Sequence, residues 1–103
     1  NVSAIIDSPK GAVLWDERIA MFNKACAIDP HDTVVIEELS ELIKAVSKIN
    51  RCHNNEHLKS LMEEIADVRI VIERIMRKYN IKEDDIDKLV VFKINRFIDQ
   101  YGI

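Results

Sequence analysis

Val34 to Ile49 reads VVIEELSELIKAVSKI, and this stretch decides the fold. On a helical wheel of about 100° per residue, Leu39, Leu42, Ile43, Val46 and Ile49 form one broad apolar arc. A strand would alternate instead, so the stretch predicts a helix that buries one face. Glu38 falls inside the arc, with Val34, Leu42, Ala45 and Ile49 as wheel neighbours. Glu37 points well outside it, and Glu41 stands just beyond the edge, one turn from Glu38. Asp32 is suited to cap the N-terminus, and the polar stretch Asn50, Arg51, His53, Asn54, Asn55 ends the helix.

Upstream, Trp15, Ile19, Phe22 and Cys26 are three and four apart and predict a helix from Leu14 to Ala27, ended by Asp29-Pro30. Downstream, a helix is expected from Glu56 to Tyr79, capped by Asn55 and stopped by Asn80. Asp84 or a neighbour starts a last helix that runs to Tyr101, before Gly102. Residues Asn1 to Gly11 lack periodicity and read as a tail or loop. With 103 residues, and only two Gly and two Pro to make turns, the chain is one domain over 1–103 and all-α. Short connections suit a four-helix antiparallel bundle. Four short helices with broad apolar faces offer more apolar surface than one small bundle hides, so completion by oligomerisation is expected.

Composition excludes several functions. The net charge of -3, with acids and bases interspersed, provides no basic block for duplex nucleic acid. No apolar run approaches the roughly 18 to 20 residues of a membrane span, and there is no basic segment followed by a signal core. Cys26 and Cys52 lack CxxC spacing and read as free thiols, which suggests a reducing cytoplasm.

The informative residues are charges placed where apolar ones belong. In the third predicted helix Leu61, Ile65, Val68, Ile72, Ile75 and Met76 make the stripe, Glu64 projects between Val71 and Ile75, and Asp67 borders the same edge. Glu63, like Glu37, points to the polar side. An ionised carboxylate facing a core costs several kcal/mol unless it is paired. Glu38, Glu41, Glu64 and Asp67 converging from two antiparallel helices supply hard oxygen ligands, which suit Mg²⁺, or Mn²⁺ in its place, better than Zn²⁺. The absence of HExxH and of Glu-x-x-His argues against a zinc protease and a di-iron bundle. In the last helix Lys93 lies within the stripe Ile86, Leu89, Val90, Ile94, Phe97, Tyr101, and Arg96 lies at its border. Inward cations beside a metal cluster suit a polyphosphate substrate.

Glu37-Glu38-Leu39-Ser40-Glu41, a gap of 22 residues from Leu42 to Glu63, and Glu64-Ile65-Ala66-Asp67 together match EExxE followed by ExxD. In this the chain resembles the MazG-like branch of the all-α nucleoside triphosphate pyrophosphohydrolases. The resemblance implies that Glu38, Glu41, Glu64 and Asp67 correspond to Mg²⁺ ligands and that Glu37 is an outer-shell or water-orienting group. It implies that Lys93 and Arg96 contact phosphate, that a nucleoside triphosphate is hydrolysed to monophosphate and pyrophosphate, and that the chain forms a homodimer or homotetramer. A phosphoribosyl-ATP pyrophosphohydrolase is a related alternative, disfavoured because Val68-Arg69-Ile70-Val71 lacks the Tyr-His pair of that group.

Each feature also has a structural reading. The acidic pairs taken singly suit solvated helix faces, and Lys93 alone suits a stem that covers apolar surface. His53 and His57 read as solvated loop residues, and Trp15 as core, with stacking on a nucleobase left open. A rival for the whole chain is a non-catalytic helical oligomerisation module whose inward acids pair with Lys93, Arg74 or a partner's cations.

Overall fold

The computed structural model describes residues 9–27 and 31–102, with side chains from residue 16 onward. Among them are four helices and no strand: α1 Pro9–Cys26, α2 Thr33–Arg51, α3 Asn55–Lys78 and α4 Glu83–Tyr101. None of the described helices is long and apolar enough to cross a membrane. The Asp29-Pro30 stop and the Trp15 side chain lie outside the described residues.

Helix α1 begins earlier than expected, so Pro9 to Gly11 belong to it and not to a tail. Proline suits the first helical position because the N–H it lacks would have no intrahelical partner there. Helix α2 starts at its predicted place, but Asp32 does not cap it. Asp32 lies in the left-handed region at φ 52°, and its side chain makes no capping hydrogen bond. Its carboxylate instead pairs with cations on α3, as described below. At the next turn the cap is Asn54 and not Asn55: its Oδ1 accepts the His57 N–H at 2.7 Å, because α3 begins one residue earlier than expected. His57 Nδ1 lies 2.6 Å from the Cys52 carbonyl oxygen, so this histidine braces the α2–α3 turn.

Asn80 stops α3 as its sequence position suggests. It takes a left-handed φ of 53°, and the Ile81 and Asn80 N–H groups donate back to the Met76 and Arg77 carbonyls at 2.8 and 3.3 Å. This pair of bonds satisfies carbonyls that the helix end leaves over. Helix α4 opens with Glu83, Asp84 and Asp85, acids placed at the positive end of the helix dipole, and closes on Gly102 at φ 67°.

Helices α2 and α3 run antiparallel, since Asp32 meets Arg74 and Lys78 while Glu38 meets Asp67 and Glu64. Their buried face is rotated relative to the expected arcs. Val35 and Ala45 are buried on α2, whereas Leu39, Ile43 and Val46 are exposed; on α3, Val68, Val71 and Arg74 are buried while Ile65 and Ile72 are exposed. Small side chains at the contact allow closer helix approach. The rotation brings the acidic edges of both helices to the seam. Helix α1 adds Ile19 and Cys26 to this core.

Packing joins α1 and α2 to α3, and α4 takes no comparable part. None of its residues is buried, and Leu89, Val90, Val91, Phe92, Ile94, Phe97, Ile98 and Tyr101 are exposed. Within one chain the expected four-helix bundle is therefore open. A radius of gyration of 16.5 Å agrees, exceeding the roughly 13 Å of a compact chain near this length.

The helix ends meet at one ionic network. Arg74 is the buried charged residue among those described, at 5% exposure. Its Nη2 donates to the Cys26 carbonyl at 2.9 Å and its Nη1 to the Asn23 carbonyl at 3.4 Å, so the guanidinium covers the C-terminal carbonyls of α1. Asp32 Oδ1 stands 3.3 Å from Arg74 Nη2, and Lys78 Nζ donates to Asp32 Oδ2 at 2.7 Å. The hydrogen bond to Asp32 raises the Lys78 pKa.

Candidate metal centre

The α2–α3 seam places Asp32, Val35, Glu38, Leu42, Ala45 and Ile49 on one less exposed face of α2. Glu38 thus occupies a stripe position, as its wheel neighbours indicate. Glu64 and Asp67 hold the facing positions on α3, one helical turn apart. One carboxylate oxygen from each of Glu38, Glu64 and Asp67 falls within 4.8 Å of the others, and all three residues are half-buried.

Three like charges this close hinder one another's ionisation. Burial first, then the charges of Asp67 and Glu64, a hydrogen bond with Asp67 and the charge of Glu41 push the Glu38 pKa above its ordinary 4.5. For Glu64 the same direction follows from burial, then from Asp67, Glu41 and Glu63. Among the described residues no cation lies within ion-pair distance of any of the three. Glu64 Oε2 is also buried with no hydrogen-bond partner among the described residues. An unpartnered buried oxygen beside two further carboxylates, all hard ligands, fits a small divalent cation.

The other expected site residues lie elsewhere. Glu41 is exposed and paired with Lys44 Nζ at 3.3 Å, although its charge still reaches Glu38 and Glu64. Glu37 is exposed on the outer side of α2, and its carbonyl accepts the Ser40 hydroxyl at 2.8 Å. Lys93 and Arg96 are exposed on α4, which is not packed on the seam. Arg74, a suggested counter-ion for the acids, is engaged with Asp32 and the end of α1. Cys26 and Cys52 are both free thiols, Cys26 buried and Cys52 exposed in the turn after α2.

The Asp32–Arg74–Lys78 network is the feature that the sequence reading passed over. Its signal was present: Arg74 continues the three-residue spacing of Val68 and Val71, so it must face the core and needs a partner there.

No family model, curated protein or solved structure matches the chain.

Proposed function

We propose that this chain is a Mg²⁺-dependent nucleoside triphosphate pyrophosphohydrolase of the MazG-like kind, active in the cytoplasm. The observation that carries the reading is the convergence of Glu38, Glu64 and Asp67 at a seam where no cation among the described residues lies within ion-pair distance of them. These three residues would hold the ion, and Glu41 would complete the set only by leaving Lys44. A divalent ion bound there supplies positive charge to phosphoryl oxygens and lowers the pKa of a water molecule. Glu37 lies on the outer side of α2. The outer-shell or water-orienting role that the resemblance implies would need its side chain to turn toward the seam, and the proton of the attacking water passes to solvent. Attack at the α-phosphorus breaks the bond to the α–β bridging oxygen, and nucleoside monophosphate and pyrophosphate leave.

The basic residues come from a second copy in this reading. Lys93 and Arg96 stand on a helix whose apolar side chains are left exposed among the described residues, and the acids of α2 and α3 are opposite in sign. Docking α4 of one subunit over the seam of another closes a four-helix bundle in a homodimer or homotetramer and brings these cations to the phosphates. The same exposed face supports the rival, a helical oligomerisation module without chemistry.

Turnover of a panel of canonical, deoxy- and modified triphosphates with Mg²⁺ separates the two. Hydrolysis lost in Glu38→Gln and Asp67→Asn supports the enzyme. Absence of turnover across the panel, or turnover unaffected by these changes, rejects it.

A further inference from the structure

We propose that Asp32 and Arg74 are positioning residues: they clamp α2 to α3 in the one register at which Glu38 meets Glu64 and Asp67. Their own contacts are described above; the inference concerns the carboxylate cluster two turns away, and it rests on the metal reading only for what that cluster does.

Asp32 is an outlier that calls for a cause. An aspartate before a helix ordinarily takes an extended conformation and spends its side chain on the first-turn amides. Here the backbone is left-handed, the capping bond is given up, and the carboxylate lies between Arg74 at 3.3 Å and Lys78 at 2.7 Å. Such departures persist only where the surroundings hold them.

The spacings on the two helices match. Glu38 follows Asp32 by six residues on α2, and Arg74 follows Asp67 by seven on α3. At about 1.5 Å per residue these are about 9 and 10.5 Å, so in an antiparallel pair the clamp at one level brings the carboxylates opposite each other at the next. A slip of one turn, about 5.4 Å, would carry Glu38 away from its partners. The fully buried apolar residues of the seam, Val35, Ala45, Val68 and Val71, are small and pack without direction, so they fix the register less closely than a charged contact does. The three acids favour separation, since they repel and no cation among the described residues offsets them. Beside the hydrogen bond between Glu38 and Asp67, the clamp adds a second one across the seam, from Lys78 to Asp32 Oδ2. It also adds the charge of the buried Arg74, whose partner Asp32 Oδ1 makes no hydrogen bond among the described residues. By covering the Asn23 and Cys26 carbonyls, Arg74 is itself held in place by α1.

The test compares Asp32→Asn and Asp32→Glu in the full chain, at a temperature where circular dichroism shows both folded. One readout is Mn²⁺ affinity by calorimetry. The other, in metal-free protein, is the set of NOEs that join residues around Glu38 to residues around Asp67. Asp32→Asn should weaken Mn²⁺ binding by the fraction of molecules that keep the register, about 10-fold if roughly one in ten does. It should also remove or shift the NOEs, and Asp32→Glu should recover most of both. Unchanged NOEs in folded Asp32→Asn overturn the proposal. Failure of the wild type to bind Mn²⁺ rejects the metal reading instead and leaves the NOEs to decide the register. If Asp32→Asn does not fold, Lys78→Met removes the more exposed partner and should shift the same NOEs to a lesser degree; no shift there also overturns the proposal.

Discussion

Replacing Arg74 by Met removes the guanidinium and keeps most of the apolar stem. Arg74 and Asp32 side chains are 6% and 18% exposed, so their pair is shielded from water. Removing one partner of a buried pair costs about 3–5 kcal/mol, because the other is left without its counter-charge. Asp32 keeps Lys78 at 2.7 Å, which places the expected loss at the lower end, about 3 kcal/mol. The carbonyls of Cys26 and Asn23 lose their donor in the same step, and the effects are not additive since one group makes all the contacts. At roughly 4–8 °C per kcal/mol for a domain of this size, the melting midpoint should fall by about 12 to 24 °C. Urea unfolding followed by circular dichroism gives the free energy, with an unchanged slope confirming that the unfolded reference is the same. A loss under about 1 kcal/mol would refute the reasoning, for it would give the pair the worth of a surface contact.

Other expectations concern the seam, the core and the exposed helix. Glu38 and Glu64 have folded pKa values raised above 4.5, so the stability they contribute is fully present below that pH and is lost as pH rises through the raised values. Metal-free urea unfolding from pH 4 to 8 should therefore show the advantage of Glu38→Gln over the wild type growing with pH, and an advantage constant with pH would count against a strained cluster. Val71, at 1% exposure, is the most deeply buried side chain of the seam, and Val71→Ala should cost about 2 kcal/mol in the same assay. Phe97→Asp places a charge on the exposed face of α4, where Phe97 stacks on Tyr101 with centroids 6.1 Å apart. Sedimentation should show the variant as a monomer and the wild type as a dimer or tetramer; identical masses would exclude α4 as the contact.

The helices were legible because their evidence is local. The apolar spacing, the Asn80 stop and the final Gly102 each act within a turn or two, and the structure keeps them. Glu38 and Glu64 were legible for the same reason, as charges that interrupt a stripe. The rotation of the packed faces was not, because it depends on how closely two helices approach at Ala45 and Val71, which a single wheel does not contain. Asp32 shows a further limit. Its position and residue type fit a cap, and only the cations brought up by α3 turn it to another use. Lys93 and Arg96 show the limit of one chain: a wheel puts Lys93 in an inner stripe and Arg96 at its border, yet among the described residues no part of α4 is buried.

The claim on which the rest depends is that Glu38, Glu64 and Asp67 bind a divalent cation at the α2–α3 seam, and Mn²⁺ titration watched by NMR tests it residue by residue. Amide signals around these three residues should broaden first, and the broadening should vanish in Asp67→Asn. Signals that stay sharp, or broadening centred instead on Glu83, Asp84 and Asp85 at the start of α4, would contradict the account.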